Sequence, residues 1–178
     1  MDPETESNIA IECSSHKYTL ENTHLTCLAE RICQLLGIAG YELNIKLVDN
    51  PEIHELNHKY RNTNHPTDVL AFPQTEWISP RTVDKHTTPI CSSTLDNVLG
   101  DIVISLEEAS QNAAKLEHPL EREVGFLITH GILHLCGHDH QQPDEEQMMI
   151  QQQQLIMQDI TVQKQINCAL IRKLEINE

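Results

Sequence analysis

At 178 residues the chain is long enough to bury a core without disulfide or metal staples and short for two independent domains, so one domain over 1–178 is expected. Twelve Lys and Arg against 27 Asp and Glu leave a formal net charge of -15. That balance excludes a protein that coats DNA or RNA by bulk charge. No window has the length and apolarity of a membrane span, and the N-terminus has no basic run followed by an apolar stretch. Six cysteines without a C-x-x-C pair read as reduced thiols, so a cytoplasmic location is expected, with no membrane partner.

In chain order, residues Asn8 to Cys13 alternate as an opening strand. Leu25, Leu28, Ile32, Leu35 and Leu36 then recur at helical spacing, between a cap at Asn22 or Thr23 and a stop at Gly37. Tyr41 to Leu47 alternates again as a strand with one wet face. Asn50 followed by Pro51 predicts a capped helix running to about Arg61. After a polar turn, Thr67 to Phe72 reads as a strand ended by Pro73. Residues 74–97, with Pro80, Pro89 and the lone Trp77, carry no period and are expected to form a mobile loop.

Val98 to Ser105 returns as an apolar strand, and Ser105 with Glu108 predicts a capping box for a helix through Lys115. Pro119 opens a helix that is apolar nearly all round and ends at Gly137, so it belongs at the centre of the fold. After Pro143 a Gln- and Met-rich helix extends to about residue 165, with Met148, Ile150, Leu155, Ile156 and Ile160 expected to cover the core. Residues 166–178 are left as an unassigned tail. The order predicts an α+β domain: a four-stranded mixed sheet with about five helices, the central one carrying the chemistry in a zincin-like arrangement.

That chemistry lies in the run from His130 to His140, which holds four histidines in eleven residues. His130 and His134 are four apart and share one helix face. His138 continues the series but sits eight residues from His130, about 12 Å along the axis, too far to share an ion. Gly137 can stop the helix and turn the chain, which lets His140 return toward the first two. Three imidazoles with an open position are a catalytic zinc arrangement, so one Zn2+ held by His130, His134 and His140 is expected. His138 reads as a group beside the ligands or facing substrate, and Cys136 as a small apolar filler, with a soft thiolate ligand as the alternative. The spacing H-x-x-x-H-x-x-G-x-x-H is that of metalloproteases whose general base follows the first histidine. Here that position is Gly131, so the scaffold suits a different hydrolysis.

With these residues in view, the sequence resembles the YbeY family of bacterial endoribonucleases. The family pattern H-G-x-L-H-L-x-G-[YH]-D-H is met from His130 to His140. Asn57 to Pro73 is similar to N-x-x-Y-R-x-x-D-x-P-T-D-V-L-S-F-P, and Leu99 to Ser105 is similar to the family's L-G-D-I strand. Ala71, Asn64 and His65 depart from the usual Ser, Asp and Lys, and the last exchange removes a fixed positive charge.

The resemblance implies a zinc-dependent, single-strand-specific endoribonuclease that matures ribosomal RNA, above all the 3' end of the 16S RNA, and serves ribosome quality control. Its partners would be single-stranded RNA and the ribosomal small subunit or proteins bound to it, with no DNA. The family's functional arginine falls on Arg61. A guanidinium that grips two phosphate oxygens suits charge building on a phosphorane, and a surface salt bridge with Glu55 is the plainer alternative. Asp68 and Asp101 read as structural, or as carboxylates that orient a ligand imidazole. Lys46, Lys59 and Arg61, with His58 and His65 when protonated, are the candidate phosphate contacts. Two other classes share these residues: a metallopeptidase-like hydrolase, and a non-catalytic assembly factor pinned by a structural metal.

Overall fold

The computed structural model describes residues 8–20, 23–83, 97–162 and 171–173. Strand β1 (Ile9–Cys13) leads through β2 (Tyr18–Leu20) into helix α1 (Thr23–Leu35) and back to β3 (Glu42–Val48). Helix α2 (Asn50–Arg61) and strand β4 (Val69–Pro73) follow, then β5 (Val98–Ser105), α3 (Leu106–Lys115), α4 (Leu120–Leu135), α5 (Pro143–Val162) and β6 (Ile171–Lys173). The main sheet has the order β1-β3-β5-β4, with β1, β3 and β5 parallel and β4 antiparallel at the edge. This is the four-stranded mixed sheet with five helices that the periodicities predict.

Leu43, Ile45 and Leu47 of β3 point to one face and are buried, while Asn44 and Lys46 point to the other. The buried face meets Leu25, Leu28 and Ile32 of α1 and Val124, Ile128 and Ile132 of α4, all at 0% exposure. Helix α4 is thus central, as its apolar circumference requires. On the opposite face a smaller cluster of Val48, Ile53, Leu70 and Val103 seats α2 against β4 and β5. The edge strand β4 therefore runs between α4 on one side and α2 on the other.

The structure differs from the sequence reading in four places. Asp49, not Asn50, is the N-cap residue of α2, and it makes no side-chain cap bond because its carboxylate accepts from Ser15 Oγ (2.5 Å) and the His16 amide (2.8 Å). Ser105 does cap α3 by accepting from the Glu108 amide at 3.2 Å, but Glu108 turns away to Asn50 Nδ2 at 2.7 Å, so only half of the capping box forms. Helix α5 buries Met149, Gln152, Gln153, Ile156, Met157 and Ile160, and leaves Met148, Ile150 and Leu155 exposed. The last difference is a second sheet, in which β2 pairs antiparallel with β6 inside the unassigned tail.

Of the expected loop, residues 84–96 lie outside the described residues. Its first part is placed by specific bonds: Trp77 Nε1 donates to the Leu135 carbonyl at 2.7 Å, and Arg81 donates to the Leu36 carbonyl from Nε (3.2 Å) and Nη2 (3.0 Å). One short segment thereby satisfies carbonyls at the C-terminal ends of both α1 and α4.

Candidate metal centre

Helix α4 ends in a Schellman turn. His138 N–H donates to the Leu133 carbonyl at 3.0 Å and Gly137 N–H to the His134 carbonyl at 3.1 Å, with Gly137 at φ +88°. A side chain at 137 would be strained at that φ and would also meet Trp77 at 3.3 Å. The reversal brings His140 back over the last helical turn. Its ring centroid lies 5.2 Å from that of His134 and 6.2 Å from that of His130. One ring nitrogen from each of His130, His134 and His140 lies within 4.8 Å of the other two.

His134 and His130 are each oriented by a different neighbour. His134 Nδ1 lies 3.0 Å from the His138 carbonyl, and a carbonyl only accepts, so Nδ1 carries the proton and Nε2 keeps a lone pair. His130 Nδ1 lies 3.2 Å from Gln153 Oε1, and the two Nε2 atoms approach to 3.1 Å. Burial, and behind it the nearness of His130, pushes the His134 imidazolium down to about 4; burial lowers His130 as well. Both rings are therefore held neutral, the form a metal needs. Three imidazoles without a thiolate among them fit a divalent ion of the zinc type that keeps an open position.

Other residues singled out in the sequence fall elsewhere. His138 is 4% exposed, and its Nε2–H donates to the Arg81 carbonyl at 2.6 Å, so its ring ties the turn to the Trp77 segment and only its backbone serves His134. Cys136 is wholly buried and its thiol is raised well above the ordinary value by that burial, as befits a filler. Asp68 accepts from the Val69 amide at 2.8 Å and Asn112 Nδ2 at 3.3 Å; Asp101 accepts from Asn44 at 3.0 Å and Gln74 at 2.9 Å. Neither carboxylate bonds a ligand imidazole, and that task falls to a backbone carbonyl and to Gln153. Lys46 is engaged by Glu52 at 2.6 Å.

Gly131 lets α4 lie close on the sheet. A Cβ there would come within 2.9 Å of Ile102 Cδ1 and 3.0 Å of its Cγ2. The peptidase base position is thus filled by the packing of helix on strand. Across the site, Arg61 at the end of α2 reaches round the sheet edge and donates to the Ala71 carbonyl at 3.4 Å. It is exposed and, among the described residues, pairs with no carboxylate, Glu55 included. Arg61, Thr67 to Ala71, His130, His134 and His140 line one cleft of about 570 Å³.

A mixed sheet backed by a histidine-bearing helix, with an arginine lining the same cleft as three convergent imidazoles, defines a metal-dependent hydrolase. The family model described as Endoribonuclease YbeY matches residues 10–161, and the chain belongs to that family. The Endoribonuclease YbeY of Brevibacillus brevis is 40% identical over 141 residues, covering 79% of this chain and 87% of that protein. That of Carboxydothermus hydrogenoformans is 37% identical over 151 residues, covering 83% and 94%. The solution structure of TM1509 from Thermotoga maritima is similar at a TM-score of 0.58 with 25% identity, covering 90% of this chain and 93% of that one.

Proposed function

We propose that this protein is a single-strand-specific endoribonuclease that hydrolyses RNA phosphodiester bonds, with His130, His134 and His140 holding one zinc ion and Arg61 acting on the scissile phosphate. The observation that carries the reading is one cleft lined both by three convergent imidazoles and by an arginine that pairs with no carboxylate among the described residues. An ion held there supplies Lewis acidity. Arg61 offers two parallel N–H donors to the non-bridging oxygens, which hold the phosphate and stabilise charge that grows on it. Val69 to Ala71 of the edge strand β4 line the cleft.

Family membership supports maturation of ribosomal RNA as the setting, with the 3' end of the 16S RNA, ribosome quality control, the ribosomal small subunit and the cytoplasm as the finer assignments. Among the described residues no helix is long and apolar enough to cross a membrane. The packing of Gly131 on Ile102 counts against a peptidase. Incubation of the purified protein with a single-stranded RNA spanning the 3' end of a small-subunit precursor tests the proposal. Cleavage that stops with chelator while the circular dichroism spectrum persists is expected. Chelator that unfolds the chain, with no cleavage before its addition, would instead mark the ion as a structural pin.

A further inference from the structure

We propose that Gln153, on α5, is a positioning residue for the metal site: its amide fixes His130 in the tautomer whose Nε2 lone pair faces the ion. The inference rests on the metal-site reading above. The constraint begins at a backbone carbonyl. Phe126 O can only accept, and Gln153 Nε2 lies 3.1 Å from it, so the NH2 end of the amide points there. The other end, Oε1, then faces His130 Nδ1 at 3.2 Å. An amide oxygen also only accepts, so Nδ1 must carry the imidazole proton. The reversed amide would set two acceptors against each other at Phe126 and is excluded on that ground.

His134 reaches the same tautomer through the His138 carbonyl at 3.0 Å. Two lone pairs therefore converge at the 3.1 Å Nε2 to Nε2 approach, with no proton between them. That contact is repulsive in the metal-free protein and relieved by a cation. Without the Gln153 acceptor the proton of His130 can move to Nε2 and donate to His134 Nε2. The pair would then close as a hydrogen bond that occupies both ligand atoms. Gln153 prevents this closure.

The placement of Gln153 agrees with such a role. It is 7% exposed, in phase with Met149, Ile156 and Ile160 on the face of α5 that packs on the core. A buried amide is costly unless both ends are bonded, and an apolar side chain would fill the position without that demand. Both ends are bonded here, and both bonds are to α4. Helix α5 thus shapes the site without contributing a ligand. Its bidentate ion pair to α1, Arg31 with Asp159 at 2.8 and 2.9 Å, fixes the helix that carries the amide.

The test joins imidazole nitrogen NMR on the full chain, metal-free and zinc-loaded at neutral pH, to zinc affinity measured against a chromophoric chelator. In the metal-free wild type the His130 proton is expected on Nδ1. Gln153→Leu is expected to move it to Nε2 and to weaken zinc binding by about 10- to 100-fold, with the thermal unfolding of the metal-free chain retained. Gln153→Glu still accepts from His130 but sets a carboxylate oxygen against the Phe126 carbonyl, so it is expected to keep the proton on Nδ1 and to bind zinc more tightly than Gln153→Leu, at some cost in thermal stability. A wild-type His130 protonated on Nε2 overturns the proposal, as does a folded Gln153→Leu that binds zinc like the wild type. If Gln153→Leu does not fold, the Glu variant decides: a proton on Nε2, or lost zinc binding, overturns it. A wild type that keeps the Nδ1 proton yet binds no zinc counts against the metal site and leaves the control of the tautomer by Gln153 supported.

Discussion

Gly131 and Ile102 are in such close register that one added methyl group on the helix would fall 2.9 Å from the isoleucine's Cδ1. Ile102 is at 0% exposure on the central strand β5 and has little room to yield. Gly131→Ala would gain about 1 kcal/mol of helix propensity, but overpacking of this kind costs about 1 to 3 kcal/mol. A net loss of stability is expected in urea unfolding, partly recovered by combining it with Ile102→Val. An Ala variant more stable than the wild type would contradict the tight contact.

Arg61→Ala is expected to keep fold and zinc content and to lose about 100-fold or more in turnover, the scale of one lost donor to developing charge. Lys at this position restores only part, because it brings a point charge without the planar fork. Single-turnover cleavage with metal analysis of the same samples separates this from loss of the ion. Normal turnover by Arg61→Ala would remove the arginine from the mechanism.

Acid should destabilise the metal-free chain. Folded His134 protonates only near about 4, against an ordinary value of about 6.5 when unfolded. Between those values the unfolded chain binds more protons, so stability is full above the upper one and falls as pH drops toward the lower. The slope from this group is at most about 1.4 kcal/mol per pH unit. His130 and His138, lowered by burial, act in the same direction. Urea unfolding across this range in chelator should show the decline, and His134→Gln should make it shallower. A wild type whose stability is level across the range would contradict the buried, neutral imidazoles.

RNA binding should depend weakly on salt. Glu52 neutralises Lys46, which leaves Lys59 and Arg61 as the fixed cations among the candidates named from sequence. At about 0.7 per phosphate on single strands, two contacts give a slope of about -1.4 in log affinity against log salt. Titration of a short single-stranded RNA across a salt series measures it. A much steeper slope would mean that other cations make up the interface.

The parts of the fold legible in sequence are those whose signal is local. Helix α4 carries its apolar circumference, its paired histidines and its glycine stop within nineteen consecutive positions, 119–137. In helix α5, Ile156 and Ile160 cover the core as expected but Met148, Ile150 and Leu155 do not, because Gln152 and Gln153, which take part of the buried face, look like solvent residues. They are buried through bonds to Val83 N–H, His130 and Phe126 O, which no periodicity encodes. The pairing of β2 with β6 joins Tyr18 to Lys173 and was invisible for the same reason. Within the site, the convergence of three histidines follows from spacing alone. The carbonyl of His138 and the amide of Gln153 that orient them do not, since each depends on where the chain returns in space.

The most direct test of the central claim compares wild type and His134→Ala on one single-stranded RNA, with zinc content and circular dichroism measured on both. The wild type is expected to carry one zinc per chain and to cut the RNA internally. His134→Ala is expected to keep its helical signal while losing both the ion and the cleavage. Cleavage by His134→Ala at the wild-type rate would contradict a nuclease centred on these histidines.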